Sequence, residues 1–302
     1  MNERFEFVYV TYIKTTPEAL WQALTHAEFS ESYWFGLRVE VGSKVGDRFE
    51  TRNQDGTVWD EGEVLVYDRP SRLSYSFEPS GEPPSRVDFL LEPFGEVVRL
   101  TLTHRFTERT KTFDEIGIGW PPILSGLKSL LEANSTLGTV PLPIEGPRHD
   151  ISGRERIFVT YIKAPAERIW QALTDGEFTK QYMFGRRAES DLKPGSKFNY
   201  WFDDGHGLDV TGDILEIDAP HRLVMTWQVV SAEEFRNLPP SRVTYEIDSF
   251  VDFCRLTVVE QVPDEIPEKY LEGGKKGWPV ILSGLKSLLE TGQPLPAIDM
   301  KG

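Results

Sequence analysis

The run Gly119-Trp120-Pro121-Pro122-Ile123-Leu124-Ser125-Gly126-Leu127-Lys128-Ser129-Leu130-Leu131-Glu132 recurs as Gly277-Trp278-Pro279-Val280-Ile281-Leu282-Ser283-Gly284-Leu285-Lys286-Ser287-Leu288-Leu289-Glu290, with a single substitution. Its apolar side chains return every three or four residues, at Trp120, Ile123, Leu124, Leu127, Leu130 and Leu131. This spacing places them on one face of a helix. The sequence therefore predicts the same long amphipathic helix twice, with Pro121 and Pro122 near the beginning of the first helix or kinking it.

A second pair of segments is repeated upstream of each predicted helix. Val10-Thr11-Tyr12-Ile13-Lys14 returns as Val159-Thr160-Tyr161-Ile162-Lys163, and Trp21-Gln22-Ala23-Leu24-Thr25 returns as Trp170-Gln171-Ala172-Leu173-Thr174. A period of about 150 residues corresponds to a whole domain, whereas solenoid repeats are roughly 20 to 50 residues long. We therefore predict two copies of one domain, the first copy at residues 1–137 and the second copy at residues 155–302.

The segment 138–154 separates the two predicted copies. It contains three prolines and three glycines and shows no sustained helical or strand period. Such a composition is typical of a connection between domains. We predict that residues 138–154 form the linker.

Charge and composition exclude several classes of partner. The chain of 302 residues carries a net charge of −15, and the acidic excess is spread over both copies. Because an acidic surface repels phosphate groups, we expect no nucleic-acid partner. Cys254 is the only cysteine, the N-terminus lacks a secretion signal, and no apolar run is long enough for membrane insertion. These features predict a cytoplasmic protein.

The order of elements within each copy predicts an α+β fold. Alternation from Phe5 to Ile13 predicts a strand, and Thr16 followed by Pro17 predicts the start of a short helix. A second short helix is predicted from Glu28 to Phe35, followed by antiparallel hairpins up to about residue 107. Each copy is thus expected to form a curved antiparallel sheet of about seven strands wrapped on the long C-terminal helix. A cavity between this sheet and the helix is the natural ligand site.

Several motifs of both copies resemble a known family. In the first copy they are Tyr12-Ile13-Lys14, Pro17-Glu18-Ala19-Leu20-Trp21-Gln22-Ala23-Leu24-Thr25, Tyr33-Trp34-Phe35-Gly36 and the run Gly119–Glu132. This set resembles the homology domain of the activator of the heat-shock protein 90 ATPase, a member of the START-like or SRPBCC helix-grip superfamily. The resemblance implies two tandem helix-grip domains. Members of that superfamily include carriers of hydrophobic ligands, polyketide cyclases and co-chaperones, so the fold leaves the function open.

Strand phase, checked between the copies, predicts which side chains face the helix. The bulky residues Leu73, Tyr75 and Phe77 match Leu223, Met225 and Trp227, while smaller residues stand between them. We expect the cavity of the first copy to be lined by Trp34, Tyr75, Phe77, Phe89, Leu102, His104, Trp120 and Leu124. The corresponding set in the second copy is Met183, Met225, Trp227, Tyr245, Val258, Glu260, Trp278 and Leu282.

Two of these positions are polar. The phase of the last strand places His104 inward in the first copy and Glu260 inward in the second, each at the end of an apolar lining. They are interpreted as ligand contacts or as hydrated residues at an exposed strand end. The differences between Trp34 and Met183 and between other matched positions allow two interpretations. The copies either prefer different ligands or are two filled cores with compensating changes.

Catalytic and metal-binding patterns are scarce. The five histidines are scattered, and none forms a recognisable metal-ligand spacing. The acidic hairpin from Asp203 to Asp209 has a plain turn as its counterpart in the first copy, and Cys254 is interpreted as a small buried hydrophobe. The sequence therefore predicts neither a metal nor a cofactor, and no catalytic residue.

The function predicted from the sequence is non-catalytic binding of a small hydrophobic ligand. A protein-interaction or co-chaperone-like module is an open alternative, with a protein as partner. A polyketide-cyclase-like enzyme is a second alternative, in which His104, Glu260 or Tyr75 would hold an enolate or deliver a proton.

Overall fold

A computed structural model describes residues 5–138, 140 and 155–298 of the chain. The chain divides into two compact units, one formed by Met1–His149 together with Pro296–Gly302 and the other by Asp150–Leu295. The second unit thus ends before residue 302, where the second copy was predicted to end. Apart from Gly138 and Val140, the predicted linker at 138–154 lies outside the described residues. Its role as a linker stays a prediction.

Within residues 5–138 the first copy contains seven strands and three helices. Along the chain these are β1 (Phe5–Ile13), α1 (Pro17–Thr25), α2 (Ala27–Ser30), β2 (Arg38–Val41), β3 (Arg48–Arg52), β4 (Val58–Asp68), β5 (Arg72–Phe77), β6 (Ser85–Phe94), β7 (Val97–Phe106) and α3 (Lys111–Ala133). All strands belong to one antiparallel sheet in the order β1-β7-β6-β5-β4-β3-β2.

The second copy repeats this arrangement. Its elements are β8 (Glu155–Ile162), α4 (Ala166–Thr174), α5 (Gly176–Tyr182), β9 (Arg186–Ser190), β10 (Lys197–Phe202), β11 (Leu208–Asp218), β12 (Arg222–Val229), β13 (Ser241–Ser249), β14 (Cys254–Gln261) and α6 (Glu268–Thr291). The sheet order β8-β14-β13-β12-β11-β10-β9 is that of the first copy. The predicted fold, two curved seven-stranded sheets with a long C-terminal helix each, is confirmed.

The hydrophobic core of each copy lies between one face of the sheet and the long helix. In the first copy Leu73, Phe89 and Leu100 of the sheet belong to the same buried cluster as Ile123 and Leu127 of α3. The equivalent cluster in the second copy joins β12, β13 and β14 to α6. Burial of about 25 cal/mol per Å² of apolar surface along this interface is the main term that stabilises each copy.

The helices differ from the predicted ones in length. The helix predicted over Glu28–Phe35 ends at Ser30 and continues as turns, in which Phe35 and Gly36 have positive φ angles of 51° and 77°. Its counterpart α5 begins at the matching position and continues to Tyr182, and the Asp175 side chain caps its start by accepting a hydrogen bond from the Glu177 amide over 2.7 Å. Such a cap is missing at His26, where α2 begins.

Helix α3 begins much earlier than its apolar stripe indicates. The Thr110 side chain caps it by accepting a hydrogen bond from the Phe113 amide, at 3.0 Å. Pro121 and Pro122 consequently lie in the middle of the helix, so the prediction that they lie near its beginning is wrong. Two glycines weaken the helical pattern between Lys111 and Gly119, although the added turns bury Phe113.

A buried lysine fastens the long helix to the first strand in the same way in both copies. Lys128, 1% exposed, donates to the Tyr12 carbonyl over 2.7 Å and to Glu132 over 2.6 Å. Glu132 in turn accepts the amide of Lys14. Lys286, Glu290, Tyr161 and Lys163 repeat these contacts in the second copy. The near-identity of the two sequence runs thus reflects a shared structural requirement.

Candidate functional site

A cavity of about 310 Å³ lies in the second copy between the sheet and α6. Four of the predicted side chains line it, namely Met183, Trp227, Glu260 and Trp278. The other four, Met225, Tyr245, Val258 and Leu282, are buried in the surrounding core. Half of the side chains predicted for the second copy thus line this cavity, and their role as ligand contacts stays a prediction.

The segment between β12 and β13 forms one wall of the cavity. It spans residues 230–240, whereas the matching segment of the first copy spans only 78–84. Phe235 of this segment packs edge-on against Tyr270 of α6, with ring centroids 5.3 Å apart. Both rings line the cavity. The longer segment thus forms a wall of the cavity in the second copy. The shorter segment of the first copy has too few residues to form such a wall.

Glycines of α6 leave room on the helical side of the cavity. Gly273, Gly274 and Gly277 all line it. A Cβ atom placed at Gly277 would meet no atom within 4 Å, because that position faces open space. Gly274 has a different role: a Cβ there would approach the guanidinium nitrogens of Arg156 to 2.7 Å. The glycines of α6 thus leave space for both the cavity and the Arg156 side chain, because they carry no side chain of their own.

A buried ion pair stands at one end of the cavity. Glu260, 2% exposed, accepts a hydrogen bond from the indole Nε1 of Trp278 over 2.8 Å. Its other carboxylate oxygen lies 2.7 Å from Nη2 of Arg156, and Arg156 also donates to the Leu271 carbonyl. Burial raises the pKa of the nearby Tyr270 phenol, which also lines the cavity. The carboxylate of Glu260 is the most deeply buried charge on the cavity wall.

A second charged group lies elsewhere on the wall. Asp209, 4% exposed, pairs with Arg186 and accepts a hydrogen bond from the Ser231 hydroxyl. Lys269, also on the wall, pairs with Glu234 at 2.6 Å. Each cation on the wall therefore has an anionic partner, and the remaining surface is largely apolar and aromatic.

Aromatic rings pack on the corresponding tryptophan of the first copy. Trp34 packs edge-on against Trp120, with ring centroids 5.2 Å apart, and Phe89 packs against the same indole at 5.9 Å. Tyr75 lies beside Phe89 and stacks on Phe49 at 3.7 Å. Met183 replaces Trp34 in the second copy, where the rings that pack on Trp278 are those of Trp227 and Tyr245, at 5.6 and 6.1 Å, and of Phe158, at 6.2 Å.

The remaining predicted residues of the first copy also belong to this cluster. Leu102 and Leu124 are fully buried in it, and the half-buried Phe77 packs edge-on against His104 at 5.5 Å. All eight predicted side chains of the first copy therefore face its interior, although the structure shows no ligand role for them.

His104 is buried in a continuous hydrogen-bond chain. Its Nδ1 accepts the Trp120 indole N–H over 3.2 Å, so the ring proton lies on Nε2 and is donated to the Ser85 hydroxyl over 2.8 Å. Ser85 then donates to the Phe77 carbonyl. Burial lowers the pKa of His104 to about 3. The imidazole is neutral at pH 7 and lies inside the copy, not at an exposed strand end.

The two copies differ in three coupled positions around the conserved tryptophan. In β1 and β7 Phe7 stands opposite His104, whereas in β8 and β14 Arg156 stands opposite Glu260. Gly274 lies four residues before Trp278, and the residue four positions before Trp120 is the buried Ile116. A trio of phenylalanine, histidine and isoleucine in the first copy is thus exchanged for arginine, glutamate and glycine in the second.

Sequence reasoning missed Arg156, Asp209 and Tyr270. A signal for Arg156 was present, because a charged residue takes the place of Phe7 at one position in two strands that are otherwise closely similar. Asp209 and Tyr270 stand in segments where the copies differ too much for a comparison of strand phase. Their role depends on the longer wall of the second copy.

Other candidate groups show no comparable organisation. The hairpin residues Asp204 and His206 form an exposed pair at 2.6 Å. Among residues 5–138, 140 and 155–298, no three His, Cys, Asp or Glu side chains are grouped to hold a metal ion. Burial raises the pKa of the Cys254 thiol. None of the described helices has the length and hydropathy needed to cross a membrane.

A further cavity, of about 560 Å³, lies in the first copy. It is formed by the turn after α2, by Pro122 and Gly126 of α3 and by the segment Thr136–Gly138. None of the side chains predicted to bind a ligand lines it. It lies outside the space between sheet and helix that the two copies share.

Comparison with known proteins identifies one matching family model. The model described as activator of Hsp90 ATPase homolog 1-like protein matches residues 14–132 and 163–290, one segment in each copy. No curated protein matches the chain.

Solved structures with a similar fold come from several sources. Protein MLL2253 from Mesorhizobium loti is 26% identical and covers 43% of this chain and 98% of its own length, with a TM-score of 0.38. PFC0360w, an HSP90 activator from Plasmodium falciparum, is also 26% identical and covers 47% of this chain and 98% of its own, at the same TM-score. DynU16, from the dynemicin biosynthetic locus, is 12% identical and covers 95% of this chain and 98% of its own, with a TM-score of 0.38.

Proposed function

The chain belongs to the activator of Hsp90 ATPase homolog 1-like family, and we propose that its second copy binds a small hydrophobic molecule between the sheet and α6. One observation carries the proposal, the cavity of about 310 Å³. Cavities that hold small molecules have volumes of about 300 to 1,000 Å³ and are mostly apolar with a few polar groups. The cavity of the second copy fits the lower end of this range.

The composition of the wall supports a hydrophobic ligand. Met183, Trp227, Trp278 and Ile281 offer apolar and aromatic surface on both the sheet side and the helical side. Transfer of apolar ligand surface from water to such a wall contributes about 25 cal/mol per Å².

The first copy supports the proposal by contrast. It has the same sheet order and a matching helix, but Trp34 stands where the second copy has Met183. Its segment between β5 and β6, residues 78–84, is also shorter than the wall segment 230–240 of the second copy. The residues that form the wall of this cavity are therefore particular to the second copy.

Filling the cavity from α6 tests the proposal. Gly277→Leu places a side chain in the open space, and helix propensity favours leucine over glycine by roughly 0.5 to 1 kcal/mol. Gly119→Leu is the matched control, because Gly119 occupies the same position in α3 and a Cβ there also meets no atom within 4 Å. Native mass spectrometry of freshly purified protein, followed by calorimetric titration with 2-methylnaphthalene, measures binding.

We expect a co-purified molecule or probe to bind the wild-type chain and the Gly119→Leu variant, and binding to be lost in Gly277→Leu. Equal binding by both variants would place the ligand outside this cavity. No bound molecule and no binding of naphthalene probes by the wild-type chain would overturn the proposal.

A second candidate function is protein contact of the kind that the family name describes. The first copy exposes two apolar side chains on β4, Trp59 at 68% and Val58 at 38%. Tryptophan is enriched among the residues that contribute most to protein–protein interfaces. An Hsp90 ATPase assay with wild-type protein and with Trp59→Ala tests this candidate. Stimulation by the wild-type chain that the variant lacks would support it.

A further inference from the structure

We propose that the cavity of the second copy selects a hydrophobic ligand that carries a neutral hydroxyl group, and that Glu260 accepts the hydrogen bond from this hydroxyl. The inference rests on the proposed function and adds the chemical class of the ligand. It is carried by the position of the Glu260 carboxylate on the cavity wall and by the comparison of the two copies.

The carboxylate of Glu260 retains capacity for a further hydrogen bond. An ionised carboxylate can accept about four hydrogen bonds through its two oxygens. One oxygen accepts the Trp278 indole N–H, and the other faces Arg156. Because Glu260 also lines the cavity, a ligand hydroxyl that reaches the wall can use the remaining acceptor positions.

The charges around the carboxylate favour a neutral donor. Arg156 offsets the charge of Glu260, so an ammonium group would lie beside a guanidinium with little net attraction. An anionic ligand would meet the carboxylate itself. The other charged groups on the wall, Arg186 and Lys269, already have Asp209 and Glu234 as partners. A hydroxyl donates without introducing a charge into this balanced environment.

The first copy shows that the fold does not need this ion pair. There the indole of Trp120 finds a neutral acceptor in His104, and Phe7 occupies the place of Arg156. Burying a carboxylate and a guanidinium is unfavourable relative to apolar residues of similar volume. A glycine within a helix is unfavourable as well, and Gly274 is what makes room for Arg156. Three unfavourable replacements occur together and converge on one acceptor at the cavity wall.

Three probes with the same ring system test the inference on the intact chain. 2-Naphthol carries a neutral hydroxyl at pH 7, 2-methylnaphthalene has a similar shape without a donor, and 2-naphthoate carries a negative charge. Calorimetric titration compares their affinities. We expect 2-naphthol to bind about tenfold more tightly than 2-methylnaphthalene, as for a hydrogen bond to a charged acceptor, and 2-naphthoate to bind most weakly.

A double variant tests the role of Glu260. Arg156→Phe combined with Glu260→His reproduces the pair of the first copy, so both charges are removed together and the Trp278 indole keeps a neutral acceptor. The preference for 2-naphthol should disappear while 2-methylnaphthalene still binds. Arg242→Met combined with Glu216→Met removes an exposed ion pair of the same copy and should keep the preference.

The outcomes separate this inference from the proposed function. Equal affinity of the wild-type chain for 2-naphthol and 2-methylnaphthalene, or tightest binding of 2-naphthoate, would overturn the inference and leave ligand binding intact. Persistence of the preference in the double variant would also overturn it. Absence of binding for all three probes would overturn both proposals. If the double variant does not fold, the comparison of the three probes on the wild-type chain decides.

Discussion

Each copy has a tryptophan on its long helix whose indole N–H is donated to the residue at the end of the last strand. The acceptor is neutral His104 for Trp120 and the charged Glu260 for Trp278. An unpaired buried N–H is unfavourable by about 1 to 3 kcal/mol, so both copies retain an acceptor. What varies is the charge of that acceptor, and with it the residues that must surround it.

Stability of the first copy should fall below neutral pH because of His104. Burial lowers the pKa of this histidine to about 3, so the unfolded chain binds a proton below pH 6.5 while the folded chain does not. Acidification from pH 7.5 to pH 5 therefore reduces the free energy of unfolding by about 2 kcal/mol through this group. Urea denaturation at both pH values measures the effect.

His104→Gln is the matched variant for this pH effect. The amide of glutamine can still accept from Trp120 and donate to Ser85, but it does not titrate. Between pH 7.5 and pH 5 the free energy of unfolding should therefore fall more for the wild-type chain than for the variant. If the free energies of wild type and variant differ by the same amount at both pH values, His104 does not titrate as a buried imidazole.

Strand phase alone placed His104 and Glu260 inward, because alternation along β7 and β14 is regular up to their ends. The partner of Glu260 was harder to predict. Arg156 lies far away in sequence, and only the register of β8 against β14 brings it opposite Glu260. A pairing that depends on register across the sheet is not visible in the periodicity of one strand.

At the level of elements, α3 and α6 are each held to the first strand of their sheet by a buried lysine and glutamate. Lys128 and Glu132 bind the end of β1, and Lys286 and Glu290 bind the end of β8. The strand carbonyl and amide that these side chains satisfy lie where each chain leaves the sheet for its first helix. These hydrogen bonds of the buried lysine and glutamate therefore fix the helix and the sheet relative to each other on one side of the core.

Glu132→Gln should destabilise the first copy strongly. Removal of one partner leaves the Lys128 charge buried, which is unfavourable by about 3 to 5 kcal/mol. Glu115→Gln is the control in the same helix, since Glu115 pairs with Lys111 at the same spacing on the exposed surface, where a pair contributes about 0 to 1 kcal/mol. Chemical denaturation of both variants checks the contrast. Similar losses in the two variants would refute the structural role of the buried pair.

The elements were easier to predict than their limits. The spacing of apolar residues from Trp120 to Leu131 predicted the long helix. Its actual beginning, however, is set by the side chain of Thr110, which caps it. The longer segment between β12 and β13 could be counted in the sequence, yet its contact with Tyr270 depends on how the loop folds back onto α6. Loop conformation is decided by tertiary contacts and not by local period.

At the scale of the whole molecule, the two copies share one fold but differ in the side chains of their interiors. The first copy has a core of packed rings and the second has a cavity with a buried ion pair. Duplication allows one copy to keep the stable arrangement while the other accepts unfavourable residues. If ligand binding occurs as we propose, the unfavourable residues of the second copy are the stability cost of that function.

Ligand should therefore protect only one half of the chain from unfolding. At a ligand concentration of about 100 times Kd, the free energy of unfolding of the second copy should rise by about 2.7 kcal/mol. Hydrogen exchange with and without 2-naphthol measures this, with slower exchange expected for amides of β14 and α6 and no change for β7 and α3. Equal protection of both copies would contradict a binding site confined to the second.

The two indole acceptors also supply a built-in spectroscopic reporter. The N–H of Trp120 is bound to a neutral imidazole nitrogen and that of Trp278 to a carboxylate oxygen, and the hydrogen bond to the charged acceptor is the shorter one. In a nitrogen–proton correlation spectrum the Trp278 indole proton should resonate further downfield. One sample then carries a probe and its internal reference: the Trp278 signal moves when Glu260 gains a new donor, while the Trp120 signal stays in place.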